Sequence, residues 1–171
     1  GFRHFLSTLY RLFFGQIHKK IGSTIRLMVS GGAAIKRDVL IGMYILGFPI
    51  IEGYGLTETS PVVAVSSLKN MKYGSVGKPL KDIEVKIAEP NENGIGEILV
   101  RGPVVMKGYY KNETLTNEAV NGGWLHTRDL GKIDEDGFLY IKGRKDNVII
   151  LHSGKNVYPE DVEHHYRKSS L

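Results

Sequence analysis

The chain has 171 residues, of which 42% are hydrophobic and 24% are charged. This is the composition of a folded globular protein, which argues against a disordered or fibrous chain. The sequence contains no cysteine, which excludes disulfide frameworks, thiolate metal sites and cysteine nucleophiles and fits a reducing, cytoplasmic compartment. No apolar run reaches the roughly 18 residues that a membrane-spanning helix needs.

The net charge of +5 is concentrated near the N-terminus. The first 37 residues hold seven of the 23 Lys and Arg residues and none of the 18 Asp and Glu residues. Apolar side chains recur there at three- and four-residue steps, which predicts a basic amphipathic helix: Phe2, Phe5, Leu6, Leu9, Phe13 and Ile17. Such a helix could contact the inner face of an anionic membrane, although a helix packed on the protein with solvated lysines is the commoner case. No nucleic-acid-binding motif accompanies the charge, so we expect no nucleic acid partner.

Next in chain order comes a strand, a helix and a second strand. Residues 25–29 form a β-prone run, residues 36–46 a helical stretch that Gly47 and Pro49 end, and residues 49–52 another short strand. This order predicts a βαβ unit with two parallel, buried strands. Ligands bind at the carboxyl ends of such strands in open α/β sheets.

From about residue 73 the pattern changes to short alternating runs at residues 83–87, 96–101, 131–133 and 138–142. Asp136 and Gly137 lie between the last two runs, which is a strong hairpin signal. This part is therefore predicted to be a β-sheet or barrel layer, with one small helix near residues 112–120. A strand at residues 147–151, a turn at 153–155 and a helix opened by Pro159 follow.

The stretch EGYGLTETSP, which begins at the end of the second predicted strand, has the residues of a nucleotide site. Gly53 and Gly55 let the backbone approach a ligand, Tyr54 offers a flat ring, Thr57 a hydroxyl and Glu58 a hard oxygen for a cation. Taken alone, a glycine-rich turn after a strand is more often only a turn, and no third glycine or P-loop lysine completes a phosphate motif.

Other candidates have two interpretations each. The backbone of Gly31, Gly32 and Ala33 could form a platform for a planar base, or only a tight strand-to-helix turn. Asp129 would suit a ribose diol, because a carboxylate accepts from two hydroxyls, or it could cap a turn. Arg144 suits ribose or phosphate oxygens, although most arginines are simply solvated.

Six phrases in order carry a family resemblance along essentially the whole chain. They are SGGAA at residues 30–34, GYGLTETS at 53–60, GSVGKPL at 74–80, GEILVRGPVVMKGYY at 96–110, GWLHTRDLGKIDEDGFLYIKGRKDNVII at 123–150 and SGKNVYPEDVE at 153–163. With them the chain closely resembles the adenylate-forming acyl-CoA synthetases, and among these the long-chain fatty-acid–CoA ligases of the prokaryotic type.

The resemblance implies a ligase that works in two steps. A fatty acid reacts with ATP and Mg²⁺ to give an acyl-adenylate and pyrophosphate, and the thiol of coenzyme A then displaces AMP. For the fold, it implies part of the α/β adenylate-forming-enzyme fold. Residues 1–72 would be the α/β portion of the large domain with the βαβ piece, residues 73–145 a β-barrel-like subdomain, and residues 146–171 the hinge and the start of the small α+β C-terminal domain.

The resemblance also implies residue roles around the adenine ring and phosphates. Tyr54 would stack on adenine opposite the backbone of residues 31–33, and the glycines beside Tyr54 would admit the nucleotide. Thr57 would bond the α-phosphate and Glu58 would hold Mg²⁺, so these two are the catalytic candidates. The attack on phosphorus builds up charge that a cation and hydroxyl donors must neutralise.

The remaining implied roles concern the ribose and the second half-reaction. Asp129 would bind both ribose hydroxyls with help from Arg144. Asp146 would be the hinge of the small domain, and Gly154 would border the pantetheine tunnel. Arg128 stands where the family usually has glycine, so the loop that carries Asp129 is expected to be bulkier or strained.

Two family elements are expected outside this sequence. The Ser/Thr/Gly-rich phosphate loop should lie upstream of residue 1 and the catalytic lysine downstream of Leu171, so the 171 residues alone are expected to be inactive. The alternatives are a non-catalytic module that binds AMP or an acyl-adenylate, and a related ligase that uses an aryl acid or a carrier-protein thiol.

Overall fold

A computed structural model describes residues 13–33, 35–151 and 156–166. The N-terminal part contains helix α1 (Gly15–Ile21), strand β1 (Met28–Gly31), helix α2 (Arg37–Ile45) and strand β2 (Ile50–Tyr54). Strands β1 and β2 are parallel, with Gly31 opposite Gly53. The predicted parallel βαβ unit is thus confirmed, and both strands continue two residues beyond their predicted ends, β1 to Gly31 and β2 to Tyr54. The predicted burial is correct for β2 and wrong for β1, whose residues alternate between half-buried and exposed, with Val29 68% exposed.

Two further strands complete the first sheet. Strand β3 (Ala64–Val65) pairs antiparallel with β2, and β4 (Lys78–Pro79) pairs antiparallel with β3, so the strand order is β1-β2-β3-β4. The sequence analysis missed both, because two residues are too few to show an alternating pattern. Strand β4 lies beyond residue 72, and the proposed division into three segments stays a prediction.

The second sheet is antiparallel. It is built from β5 (Glu84–Ala88), β6 (Gly96–Arg101), β7 (Val120–Asn121), β8 (Trp124–Ile133) and β9 (Leu139–Arg144), with helix α3 (Glu113–Ala119) before β7. Strand β8 is central, since it pairs with β6, β7 and β9. The predicted hairpin joins β8 to β9, and the carboxylate of Asp134 accepts the N–H of Phe138 at 2.8 Å across its turn. This hairpin prediction is confirmed.

An apolar cluster joins the two sheets. The first sheet contributes Tyr54 and Ala64, and the second contributes Ile98, Leu125 and Leu139, all buried in one cluster. The sheets also touch through a backbone bridge between Gly77 and Leu139. The ends of β2 and of β8 and β9 are therefore held in fixed relative positions.

The C-terminal part is short. After a 3-10 turn at Lys145–Asn147, β10 (Ile149–Ile150) pairs with β11 (Asn156–Val157), and helix α4 (Pro159–Tyr166) begins at the predicted proline. Gly154 and the predicted turn around it lie outside the described residues, as do residues 1–12 of the predicted amphipathic helix. In the described part of the chain, no helix is both long and apolar enough to cross a membrane.

Candidate active site

An open cleft of about 720 Å³ lies where the carboxyl ends of β1 and β2 meet the end of β9. Nine of the residues predicted for the site line it: Gly32, Ala33, Gly53, Tyr54, Gly55, Thr57, Glu58, Asp129 and Arg144. Gly31 adjoins them through its pairing with Gly53. The fold therefore brings together positions that are more than 100 residues apart in the sequence.

The loop after β2 requires glycine at one position in particular. A Cβ on Gly55 would lie 1.7 Å from the carbonyl oxygen of Pro61, so any side chain there would displace the backbone. On the opposite wall, Gly32 has φ of 78° and open space where a side chain would stand. Glycine is favoured at the two positions for different reasons: at residue 55 the backbone of Pro61 leaves no room for a side chain, and at residue 32 the backbone is left-handed.

A 3-10 turn, Thr57–Thr59, carries the two catalytic candidates. Thr59 is fully buried, and its hydroxyl both accepts from the N–H of Leu56 and donates to the carbonyl of Leu56, each at 2.9 Å. Thr59 thus stabilises the turn through these two hydrogen bonds, while Thr57 and Glu58 line the cleft.

Tyr54 and Asp129 form a buried pair at the floor of the cleft. Tyr54 Oη donates to Asp129 Oδ2 at 2.8 Å, and Arg144 Nε lies 3.4 Å from Asp129 Oδ1. Burial raises the pKa of Asp129, an effect that the Tyr54 hydroxyl and the Arg144 charge oppose and the charge of Glu58 reinforces. Burial and the adjacent carboxylate also raise the pKa of Tyr54, so its hydroxyl remains a donor. The sequence analysis had assigned separate roles to the two residues and did not foresee their contact.

The backbone around Asp129 is held by its strand. The N–H of Asp129 donates to Thr127 Oγ1 at 3.1 Å, and that hydroxyl donates to the carbonyl of Ile98 at 2.7 Å. Thr127 is buried. This chain of bonds holds the backbone of Asp129 against strand β6.

Arg128 adopts φ of 60°, a left-handed conformation that favours glycine. Its side chain makes a bidentate ion pair with Asp146, with Nε 2.8 Å from Oδ2. The pair holds the pKa of Asp146 below its ordinary value. The expected strain at Arg128 is thus present in the backbone, while the guanidinium points out to solvent and to the predicted hinge residue.

A second cavity of about 460 Å³ adjoins the first and shares Leu56, Glu58 and Arg144 with it. Asp146 lies in its wall, as do Glu97 and Lys145, which form an ion pair at 3.1 Å. The predicted hinge residue therefore lies in this second cavity.

Three residues of these cavities were missed from the sequence. Glu52 is buried in the larger cleft, where burial raises its pKa although the N–H of Ile35 opposes the effect. Tyr109 contacts Glu58, and Glu97 accepts the N–H of Arg128 at 3.2 Å. The position of Glu52 at the end of the predicted strand, directly before Gly53, was a usable signal. Glu97 and Tyr109 lie in the phrase at residues 96–110, but no local pattern gave either of them a role at the site.

The carboxylates of the cleft suit a cation that also binds phosphate. Among the described residues, no group of three or more His, Cys, Asp or Glu side chains could enclose a metal ion. Mg²⁺ commonly takes only one or two carboxylates and completes its shell with phosphate oxygens and water. Glu58 fits a site of that kind, in which one carboxylate shares the ion with phosphate oxygens and water.

Comparison with known proteins identifies the family of this chain. The family described as AMP-binding enzyme matches residues 4–110. A long-chain-fatty-acid–CoA ligase of Mycobacterium bovis, FadD15, is 44% identical over 94% of the chain, and a 2-succinylbenzoate–CoA ligase of Oceanobacillus iheyensis is 42% identical over 81%. The chain spans only 26% and 29% of the lengths of these two relatives.

Solved structures agree as well. The O-succinylbenzoate coenzyme A synthetase (MenE) of Bacillus subtilis in complex with AMP superposes with a TM-score of 0.77 at 34% identity, covering 94% of this chain and 35% of that one. The same enzyme in complex with ATP and magnesium ion gives a TM-score of 0.71 at 38% identity, with 81% and 30% covered. The chain has part of the α/β fold of adenylate-forming enzymes, and it belongs to the family of AMP-binding enzymes.

Proposed function

We propose that this chain is the nucleoside-binding part of an AMP-forming acid–CoA ligase. In the proposed reaction a carboxylate oxygen bonds to the α-phosphorus of ATP while the bond to pyrophosphate breaks. The thiol of coenzyme A then attacks the acyl carbon, and AMP leaves. The observation that carries this proposal is the convergence of Tyr54, Thr57, Glu58, Asp129 and Arg144 on one cleft.

The residues would divide the work by their chemistry. Asp129 would accept hydrogen bonds from ribose hydroxyls, and Arg144 beside it would hold the ribose or phosphate oxygens. Thr57 would donate to the α-phosphate, where charge develops. Glu58 would bind Mg²⁺, which when bound neutralises phosphate charge. Asp146 would serve as the hinge between the half-reactions and Gly154 would border the path of the thiol.

For the acid we propose a long-chain fatty acid as the first candidate. It is supported by the likeness to the mycobacterial ligase, while the likeness to 2-succinylbenzoate–CoA ligases supports an aryl acid equally. The cleft has apolar wall residues, Ile35, Val76 and Ile141, that would suit either kind of acid. Acyl-CoA formation from palmitate or from 2-succinylbenzoate by a full-length ligase that contains these 171 residues, followed by chromatography in parallel assays, decides between them.

A non-catalytic module that binds AMP is the second proposal, supported by the cleft that the described residues form around Tyr54 and Asp129. Calorimetry of the 171-residue chain with AMP tests the cleft directly. Asp129→Asn is expected to weaken AMP binding by about tenfold or more, the usual effect of losing hydrogen bonds to a charged group. The control is Asp82→Asn, an exposed position with φ of 64° that asparagine also tolerates.

The results separate the proposals. AMP binding that Asp129→Asn weakens is expected under both proposals. Acyl-CoA formation by a full-length ligase that contains these residues would support the first proposal, and its absence there would support the binding module. Ligase activity in the 171-residue chain would contradict our expectation that the chain alone is inactive. Failure of AMP to bind at millimolar concentration would refute the nucleotide cleft.

A further inference from the structure

Glu58 is held by a segment that lies far from it in the sequence. The loop between β6 and α3 crosses the 3-10 turn at Thr57–Thr59 and contacts Glu58 twice. The N–H of Met106 donates to the Glu58 carbonyl at 2.8 Å, and Tyr109 Oη donates to Glu58 Oε1 at 2.9 Å. One loop thus fixes both the backbone and the carboxylate of this residue.

Tyr109 is itself anchored. Its N–H donates to Thr116 Oγ1 at 2.9 Å, and that hydroxyl donates to the carbonyl of Asn112 at 2.8 Å at the start of α3. Gly108 permits this contact, because a Cβ there would lie 2.7 Å from the Thr116 side chain. The hydroxyl of Tyr109 is therefore presented to Glu58 from a backbone tied to a helix.

The contact leaves half of the carboxylate available. Among residues 13–33, 35–151 and 156–166, the hydrogen bond from Tyr109 is the one found on the Glu58 side chain, and it uses Oε1. Oε2 keeps its lone pairs for a ligand. The phenol of Tyr109 is a hydrogen-bond donor at neutral pH and a carboxylate is an acceptor, so the contact suits both groups.

We propose that Tyr109 is a positioning residue that holds the Glu58 carboxylate in the orientation in which it binds the divalent cation of the nucleotide. The proposal rests on the proposed function, which makes Glu58 the metal-binding carboxylate. A carboxylate fixed by one hydrogen bond loses less rotamer freedom when it binds a cation than one that turns freely. Tyr109 does not contact the reacting atoms in this account and acts through Glu58.

The test compares Tyr109→Phe, which removes only the hydroxyl, with Tyr110→Phe at the adjacent tyrosine, which is 88% exposed. Mn²⁺ binding to the 171-residue chain in the presence of ATP is measured by electron paramagnetic resonance, and metal-free AMP binding by calorimetry. We expect Tyr109→Phe to raise the dissociation constant of Mn²⁺ about fivefold, the scale of one hydrogen bond, and to leave AMP affinity unchanged. Tyr110→Phe should change neither.

Glu58→Gln separates failure of this inference from failure of the proposed function. If Glu58→Gln weakens Mn²⁺ binding and Tyr109→Phe does not, the positioning role is refuted and the proposed function stands. If neither variant weakens it, or if the unsubstituted chain binds no Mn²⁺ with ATP, both are refuted. A parallel loss of AMP affinity in Tyr109→Phe would indicate a merely structural role and would also overturn the inference.

Discussion

The buried contact between Tyr54 and Asp129 gives the sharpest prediction for stability. Tyr54→Phe keeps the ring in the core and removes only the hydroxyl that donates to Asp129 Oδ2 at 2.8 Å. Asp129 stays buried, with Arg144 Nε at 3.4 Å as its nearest charged partner. A hydrogen bond to a charged group contributes about 2 kcal/mol, so the variant is expected to lose about that much free energy of unfolding at neutral pH.

The loss should depend on pH in a defined direction. Because burial raises the pKa of Asp129 above its unfolded value, its contribution to stability is complete below the unfolded pKa and is lost as pH rises through the folded one. The Tyr54 hydroxyl favours the ionised carboxylate, so removing it raises that pKa further. The cost of Tyr54→Phe should therefore fall to about 1 kcal/mol, the value for a neutral hydrogen bond, once Asp129 is protonated.

Urea denaturation at several pH values measures this cost, and a second tyrosine–aspartate pair supplies the control. Tyr140 Oη donates to Asp134 Oδ2 at 3.2 Å, and Asp134 is also paired with a lysine near the surface. Tyr140→Phe should change stability far less than Tyr54→Phe. Equal losses in the two variants, or a loss for Tyr54→Phe that does not vary with pH, would refute the reasoning.

Three other predictions concern backbone geometry and one ion pair. Gly55→Ala is expected to abolish AMP binding and to lower the free energy of unfolding by about 3 kcal/mol, because the added Cβ overpacks the loop. Gly42→Ala, whose Cβ would meet nothing within 4 Å, should leave AMP binding and stability intact. Calorimetry measures the binding and urea denaturation the stability. Arg128→Gly should melt at a higher temperature than Arg128→Ala, because glycine adopts φ of 60° without strain; identical melting temperatures would argue against strain. In Glu97→Gln, the free energy of unfolding from urea titrations should fall less between neutral and acid pH than in the unsubstituted chain. Although Glu97 is buried, its ion pair with Lys145 lowers its pKa, so its contribution is present above the unfolded pKa and is lost as pH falls.

The local sequence predicted the elements that depend on near neighbours. The βαβ unit, the hairpin at Asp136 and Gly137 and the helix that begins at Pro159 follow from alternation and from turn and capping residues, and the structure has all three. Strands β3 and β4 escaped because their pairing depends on the strand beside them and not on a pattern of their own.

The sequence predicted nine of the residues that line the larger cleft, but it missed Glu52 and the contact between Tyr54 and Asp129. The motif around Tyr54 and the aspartate at residue 129 were both identified from residue chemistry and from the resemblance, and both line the cleft. Their hydrogen bond joins residues 75 positions apart, and no local signal encodes it. Tyr109 was missed for the same reason, since its partner lies 51 positions away.

The sequence by itself determined the family, the order of the strands and helices apart from the shortest strands, and which chemical groups stand at the carboxyl ends of β1 and β2. Those features depend on short-range periodicity and on motifs whose residues are adjacent. Only the tertiary structure decided that Asp129 meets Tyr54, that Tyr109 holds Glu58, and that Arg128 pairs with Asp146. Such contacts arise when two sheets pack on one core, because packing sets the distance between side chains that the chain itself keeps far apart.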